Sequence, residues 1–460
     1  MAPFEEGFGR LIAGAALLLA LQTTQFVVGP DGTHRSIRDA LAAAGPGDTI
    51  RVTAGVYHEH PVIDKPVVLL GEPGAVLDGD GRGIVLFVNA PAVVIRGFTI
   101  RGSGADQSRE SAGILATEAP GIVVEDCRFE DVLFGIYLKQ SHDAVIRGNT
   151  IEGKNLAMPL RGDGIRLWYS HNGLIVRNEL SRVRDLVIWF SNGTEVRGNR
   201  VSDSRYGVHY MYSDHNRFEG NEFRANHVGA FVMYSNDIVF EGNLFAEARG
   251  TTGRGLGFKD ADRITAIGNV LVKNAIGISI DNSPTSENVE NIFRDNVIAY
   301  NDIGVWMLPS VHSNRFEGNQ LVDNVVPVGV SGGGAATKNH WHGNYWSEYA
   351  GFDADRDGSG DTPFVFERLS DDLMAKHQAL QVFNLSLSVS ALNTLSRVFP
   401  LLNPEPIVID SAPRIARADV GLGKGEGGKG NGGVAVGFLL VGLLALVAVP
   451  RLRRPLRRRA

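Results

Sequence analysis

The chain has 460 residues, 43% of them hydrophobic and 21% charged, with 56 glycines and one cysteine. Its formal charge of −6 becomes −12 once the six arginines of the last ten positions are set aside. A body this acidic argues against nucleic acid as a partner and suits cations or basic proteins, and the lone Cys127 excludes an intrachain disulfide.

Residues 1–24 contain an apolar run from Leu11 to Leu21 behind Arg10. This has the length of a signal-peptide core and predicts export, as a signal peptide or an N-terminal anchor. Ser36 to Ala44 reads as a short capped helix ending at Gly45-Pro46-Gly47, placed to cover the open amino end of the domain behind it.

That domain is a repeat. A Gly followed by alternating apolar residues stands at 113, 135, 164, 207, 229, 255, 277 and 304, with Asp185 and Pro327 in the same register. A second anchor, mostly Asn, stands at Phe98, Cys127, Asn149, Asn178, Asn199, Asn221, Asn243, Asn269, Asn296, Asn319 and Asn344. The first anchor precedes the second by 14 residues in seven coils. A period of about 22 residues, read as two strands separated by Gly and Asn, predicts an all-β, right-handed, single-stranded parallel β-helix over 25–365. Residues in one register then stack one rung apart, with the Asn side chains forming an amide ladder in a bend where Asn takes a left-handed backbone. Extra residues enter between an Asn anchor and the next Gly at 98–113, 149–164 and 243–255. They leave from one corner, and two of these loops bracket the four coils beginning at 164, 185, 207 and 229.

Past the solenoid, Asp353, Asp355, Asp357 and Asp361 take positions 1, 3, 5 and 9 of a D-x-D-x-D-G loop with Gly358 at position 6. The spacing suits Ca²⁺ in a structural role, although Phe364 replaces the usual final Glu; a loop ordered by its own hydrogen bonds fits as well. Residues 366–412 read as a helical docking arm, 413–433 as a Gly-rich linker, 434–450 as a transmembrane helix and 451–460 as a basic tail. Together they predict a solenoid outside the cytoplasmic membrane with the tail inside.

The residues two and four after the Gly anchor point away from the interior. In the four bracketed coils they include Trp168, Trp189, His209, Met211, Phe231 and Met233, with Lys139 and Lys259 beyond each end. Imidazole with thioether is a soft donor set suited to Cu(I), so His209, Met211 and Met233 are the candidate ligands. Trp168, Trp189, Phe231 and Met158 of the first loop line the face, and the indoles offer cation–π attraction. Packing beneath loops, or a surface for a partner protein, accounts for a Met and aromatic stripe too. The pairs His58/His60 and His340/His342 each share a strand face and read as surface residues. A carbohydrate lyase, epimerase or hydrolase, or a carbohydrate-binding surface protein, is the alternative class for a long aromatic-lined β-helix. The stripe carries no stacked acid pair, and no catalytic constellation is found.

The segments GIRLW (164–168), YGVHYMYS (206–213), VMYS (232–235), GNYWS (343–347), FDADRDGSGDTP (352–363) and IVIDS (407–411) occur in that order. On these the sequence resembles the NosD family from about residue 71 to 413. The resemblance implies a periplasmic accessory protein, not an enzyme, acting with a NosF/NosY ABC transporter and a copper chaperone in maturing the copper centres of nitrous oxide reductase. The residues after 420 and Met158 fall outside it.

Overall fold

The computed structural model describes residues 24–370 and 405–417, with positions 373, 386, 388, 389, 391 and 392 between them. The expected signal segment, linker, membrane span and basic tail lie outside these residues, apart from 24 and 413–417. Among the described residues no helix is long and apolar enough to cross a membrane.

Three long parallel sheets, of 14, 13 and 12 strands, wind into a right-handed parallel β-helix of about 14 turns. In one coil Tyr206–Met211 lies in the third sheet, Arg217–Glu219 in the first and Glu222–Arg224 in the second. Each coil therefore has three strands where the sequence reading has two. FEGNEF looks like one run, but Gly220 and Asn221 form a corner that divides it between two sheets. The left-handed residue of that corner precedes the Asn: φ is 60° at Gly198 and Gly220 and 62° at Gly242. None of the ladder asparagines takes that conformation, contrary to expectation, and the Gly that usually precedes them meets the requirement at low cost.

The asparagines themselves stack as expected. Asn199 donates its backbone N–H (2.9 Å) and Nδ2 (3.0 Å) to Asn221 Oδ1, and its Nδ2 also to the Ile175 carbonyl at 2.9 Å. Asn221 repeats this on Asn243. All are buried, so each amide satisfies backbone groups that the sharp turn would otherwise strand. Inside, Phe218 stacks on Phe240 at 4.7 Å and Phe223 on Phe245 at 5.2 Å. The Gly anchors are needed because a Cβ at Gly207 would fall 2.3 Å from the Gly229 carbonyl oxygen and 2.6 Å from the Phe223 ring.

The amino end is closed by helix Ile37–Ala43, whose N-cap Ser36 accepts the Asp39 N–H. At the other end the structure changes the expected docking arm. Val408–Asp410 pairs antiparallel with Phe364–Phe366, and Ile407, Val408 and Asp410 are buried against the last coil. Asp410 takes the place of the next ladder Asn: its Oδ2 accepts from Asn344 N (3.0 Å), Asn344 Nδ2 (2.9 Å) and Trp346 Nε1 (3.0 Å). This part of the arm is a plug for the solenoid and is extended, not helical.

Candidate metal and docking face

The three outer faces differ in chemistry. The first two sheets carry charges that compensate along the stack, for example Arg96 with Glu125, Arg217 with Glu241, and Arg224 with Glu247. Over the coils between residues 164 and 234, the third sheet instead presents aromatic, Met and His side chains.

The strand register places these as the sequence spacing implies. Lys139, Trp168, Trp189, Met211, Met233 and Lys259 are successive partners, as are Arg166, Val187, His209, Phe231 and Gly257. Met211 and Met233 thus occupy adjacent rungs about 4.8 Å apart, with His209 two residues before Met211 on the same face. His209 is 13% exposed; the Tyr206 ring stacks on it at 4.8 Å and Trp189 meets it edge-on at 5.0 Å. Its Nδ1 lies 3.1 Å from Asp185 Oδ2. Burial pushes the Asp185 carboxyl up, but hydrogen bonds from His209 and Arg205 outweigh it and hold the group below the ordinary carboxylate value.

Other expectations about this face change. The indole faces do not await a metal: the Arg166 guanidinium sits 5.4 Å from Trp168, 5.0 Å from Trp189 and 4.9 Å from Tyr137. Met158 stays with its loop, its sulfur accepting from Arg161 Nη1 at 3.8 Å, while the same nitrogen reaches the Asp203 carbonyl at 2.7 Å. That loop, tied to the previous one through Gln107 Nε2 and Leu160 O at 3.1 Å, runs along the corner beside the His209 row. An acid pair exists in consecutive coils, Asp163 and Asp185, but both are fully buried and held by Arg184 and Arg205. Cys127 offers no thiolate, because burial pushes its thiol up to about 12.

Sequence reasoning missed the ridge along the far edge of the sheet. Tyr169, Phe190, Tyr212 and Tyr234 stack with interplanar angles of 6°, 7° and 11° at 4.7, 5.2 and 5.0 Å. All four take a left-handed backbone (φ 49–52°), as do Gln140, Asp260 and Asn282 in flanking coils. A bulky residue there costs about 1 kcal/mol or more, and each stacked pair returns about 0.5–1.5 kcal/mol. The signal lay in the repeated tripeptides WYS, WFS, MYS and MYS. Beyond the ridge, His142 Nδ1 accepts the His171 N–H (3.1 Å) and His171 Nδ1 accepts the Asn192 N–H (3.0 Å). Burial and the neighbouring His142 hold His171 below its usual 6.5. The unfolded chain therefore binds this proton more tightly, so stability is complete above pH 6.5 and declines as pH falls from there toward the lower folded value. The double variant His142→Asn, His171→Asn keeps an acceptor like that of Asn192 one coil on, and its melting temperature is expected to fall less on acidification than the parent's.

Two other clusters gather possible metal ligands. His58, Asp78 and Asp80 approach one another within 4.8 Å, but Asp78 is also held by Arg101 at 2.6 Å. Asp353, Asp355 and Asp357 converge within the same distance. Asp361 is not in that group; its Oδ2 accepts the Ala354 N–H at 2.7 Å. His60 Nδ1 donates to the Ile84 carbonyl, His340 and His342 are exposed, and none of the three falls in a ligand cluster among the described residues.

Residues 151–351 match the family described as "Periplasmic copper-binding protein (NosD)", and residues 82–193 match the right-handed β-helix region. The chain is 28% identical to the "Probable ABC transporter binding protein NosD" of Stutzerimonas stutzeri, covering 88% of this chain and 92% of that one. It is 29% identical to the Pseudomonas aeruginosa protein of the same name, covering 82% and 90%. Among solved structures, the A-module of an Azotobacter vinelandii mannuronan C-5 epimerase shares the fold, with a TM-score of 0.51 and 15% identity over 66% of this chain and 92% of that one. The family match spans the coils that carry the His–Met face and the relatives align along most of the chain, so the chain is similar to the NosD family through its solenoid.

Proposed function

We propose that the third-sheet face receives Cu(I) as cargo on His209, Met211 and Met233 and passes it on, outside the cytoplasmic membrane, for the copper centres of nitrous oxide reductase. The observation that carries this reading is the donor set itself: one imidazole with a nitrogen turned from its carboxylate partner and two thioethers on adjacent rungs of one outer face. The family's description as copper-binding and periplasmic supports the ion and the compartment. The relatives' name supports an ABC transporter as partner, which we assign to the NosF/NosY type, with a copper chaperone as donor. The aromatic ridge and the apolar rows beside it make a docking rim for the client. Membrane attachment through 434–450 and a structural Ca²⁺ at Asp353, Asp355 and Asp357 belong to the same proposal.

The carbohydrate alternative gains nothing from this geometry. The ridge rings spend their faces on one another, which leaves edges and phenol groups outward, not the flat platforms on which sugar rings lie. Deleting the protein from its native host and measuring copper in purified nitrous oxide reductase tests the reading. Copper-deficient enzyme, restored by the parental sequence, is expected; a normal copper content refutes it.

A further inference from the structure

Asp185 stands where neighbouring coils carry Gly. A side chain fits there because the register shifts by one residue between Asp185 and Val187, which pairs Asp185 with Tyr206 instead of Gly207. The carboxylate is thereby tucked under the face, 1% exposed. It accepts the Tyr206 N–H at 3.1 Å, Arg205 Nε at 3.0 Å and a second bond from Arg205 Nη2. A group surrounded by these donors acts as an acceptor only, so the proton between it and His209 must be carried by Nδ1. In the neutral ring the other nitrogen, Nε2, is then left with its lone pair, and Tyr206 and Trp189 fix the plane of the ring.

The two histidines at the corner beyond the ridge are not set this way. His142 and His171 accept backbone N–H groups at Nδ1, so in their neutral form Nε2 carries the proton and has no lone pair for a metal. The two arrangements differ only in what faces Nδ1, a carboxylate in one case and an amide N–H in the other.

We propose that Asp185, anchored by Arg205 and the Tyr206 N–H, is the positioning residue that holds His209 as its Nδ1–H tautomer and so presents Nε2 as the nitrogen donor of the face. This rests on the Cu(I) reading of the face and adds to it the residue that makes the imidazole competent. A carboxylate behind a ligating imidazole orients the ring and raises its basicity, and its loss costs about ten- to a hundredfold in metal affinity.

The test uses the full-length chain labelled with ¹⁵N-histidine and free of metal, with the His209 signals assigned through His209→Gln. Above the histidine titration range the parent is expected to show Nδ1 protonated and Nε2 bare. In Asp185→Asn the amide oxygen is drawn to Arg205 and the Tyr206 N–H, so the amino group faces Nδ1 and the tautomer reverses. Cu(I) affinity, measured by competition with a chelator, should fall about ten- to a hundredfold in that variant, and Asp185→Glu should recover the parental tautomer and part of the affinity. A parental His209 protonated on Nε2 overturns the proposal without needing any variant to fold. Undiminished affinity in Asp185→Asn, while His209→Gln weakens binding, overturns it and leaves the Cu(I) reading standing. If His209→Gln also binds Cu(I) as the parent does, the Cu(I) reading falls and this inference with it.

Discussion

Replacing Asp410 with Ala is expected to destabilise the carboxy-terminal coils by about 3–5 kcal/mol, since each hydrogen bond to a buried charged acceptor contributes about 1.5–3 kcal/mol. The carboxylate receives Asn344 N, Asn344 Nδ2 and Trp346 Nε1 on one oxygen, and Gly343 N (3.1 Å) and Ala412 N (3.2 Å) on the other. Without it the end of the Asn ladder is left as unpaired buried donors, and the strand pair 364–366 with 408–410 loses its anchor. Because solenoid coils hold only their neighbours, the loss should begin at this end and spread inward. Hydrogen exchange should accelerate first in the strands at 340–346 and only later near Asn199, and chemical denaturation should become broader or biphasic. Asp410→Asn keeps an oxygen for the ladder and should cost less. An Asp410→Ala protein that unfolds at the parental denaturant concentration would show that the plug is incidental.

The second large effect concerns the face. The triple variant His209→Gln, Met211→Leu, Met233→Leu should fold nearly as the parent does, because these side chains point outward and leave no core cavity. Cu(I) affinity should nevertheless fall at least about a hundredfold, more than the loss of an outer hydrogen-bond partner brings. Each Leu keeps the bulk of its Met while removing the sulfur, so a docking surface built on shape alone would survive this change. If client maturation continues at the parental rate in cells carrying the triple variant, copper does not travel by way of these residues.

Much of this was legible in the chain, for a definite reason. A constant interval of 14 residues between Gly and Asn fixes the strand register, and register decides which residues share a face; the neighbourhood of Met211, Met233 and His209 therefore comes from spacing. The third strand of each coil was hidden because Gly220–Asn221 turns the chain within two residues, leaving no break in the apolar pattern. Asp185 was visible as an exception to the Gly row, but its role depends on Arg205 and His209 in the next coil, beyond a one-residue register shift that no periodicity announces. The ridge of Tyr169, Phe190, Tyr212 and Tyr234 violates the usual preference for Gly, Asn or Asp at a left-handed position, so propensity points away from it. Asp410 joins the ladder from 66 residues beyond Asn344, across a segment with no repeat to carry the register.

These separate effects meet in the coordination of the cargo. X-ray absorption at the copper edge, recorded on the full-length chain loaded with one equivalent of Cu(I), reads the donors directly. A shell of one imidazole nitrogen and two thioether sulfurs is predicted, with the sulfur contribution halved in Met233→Leu and the imidazole scattering absent in His209→Gln. A shell of nitrogen and oxygen donors only, unchanged in both variants, would contradict the assignment of this face as the copper site.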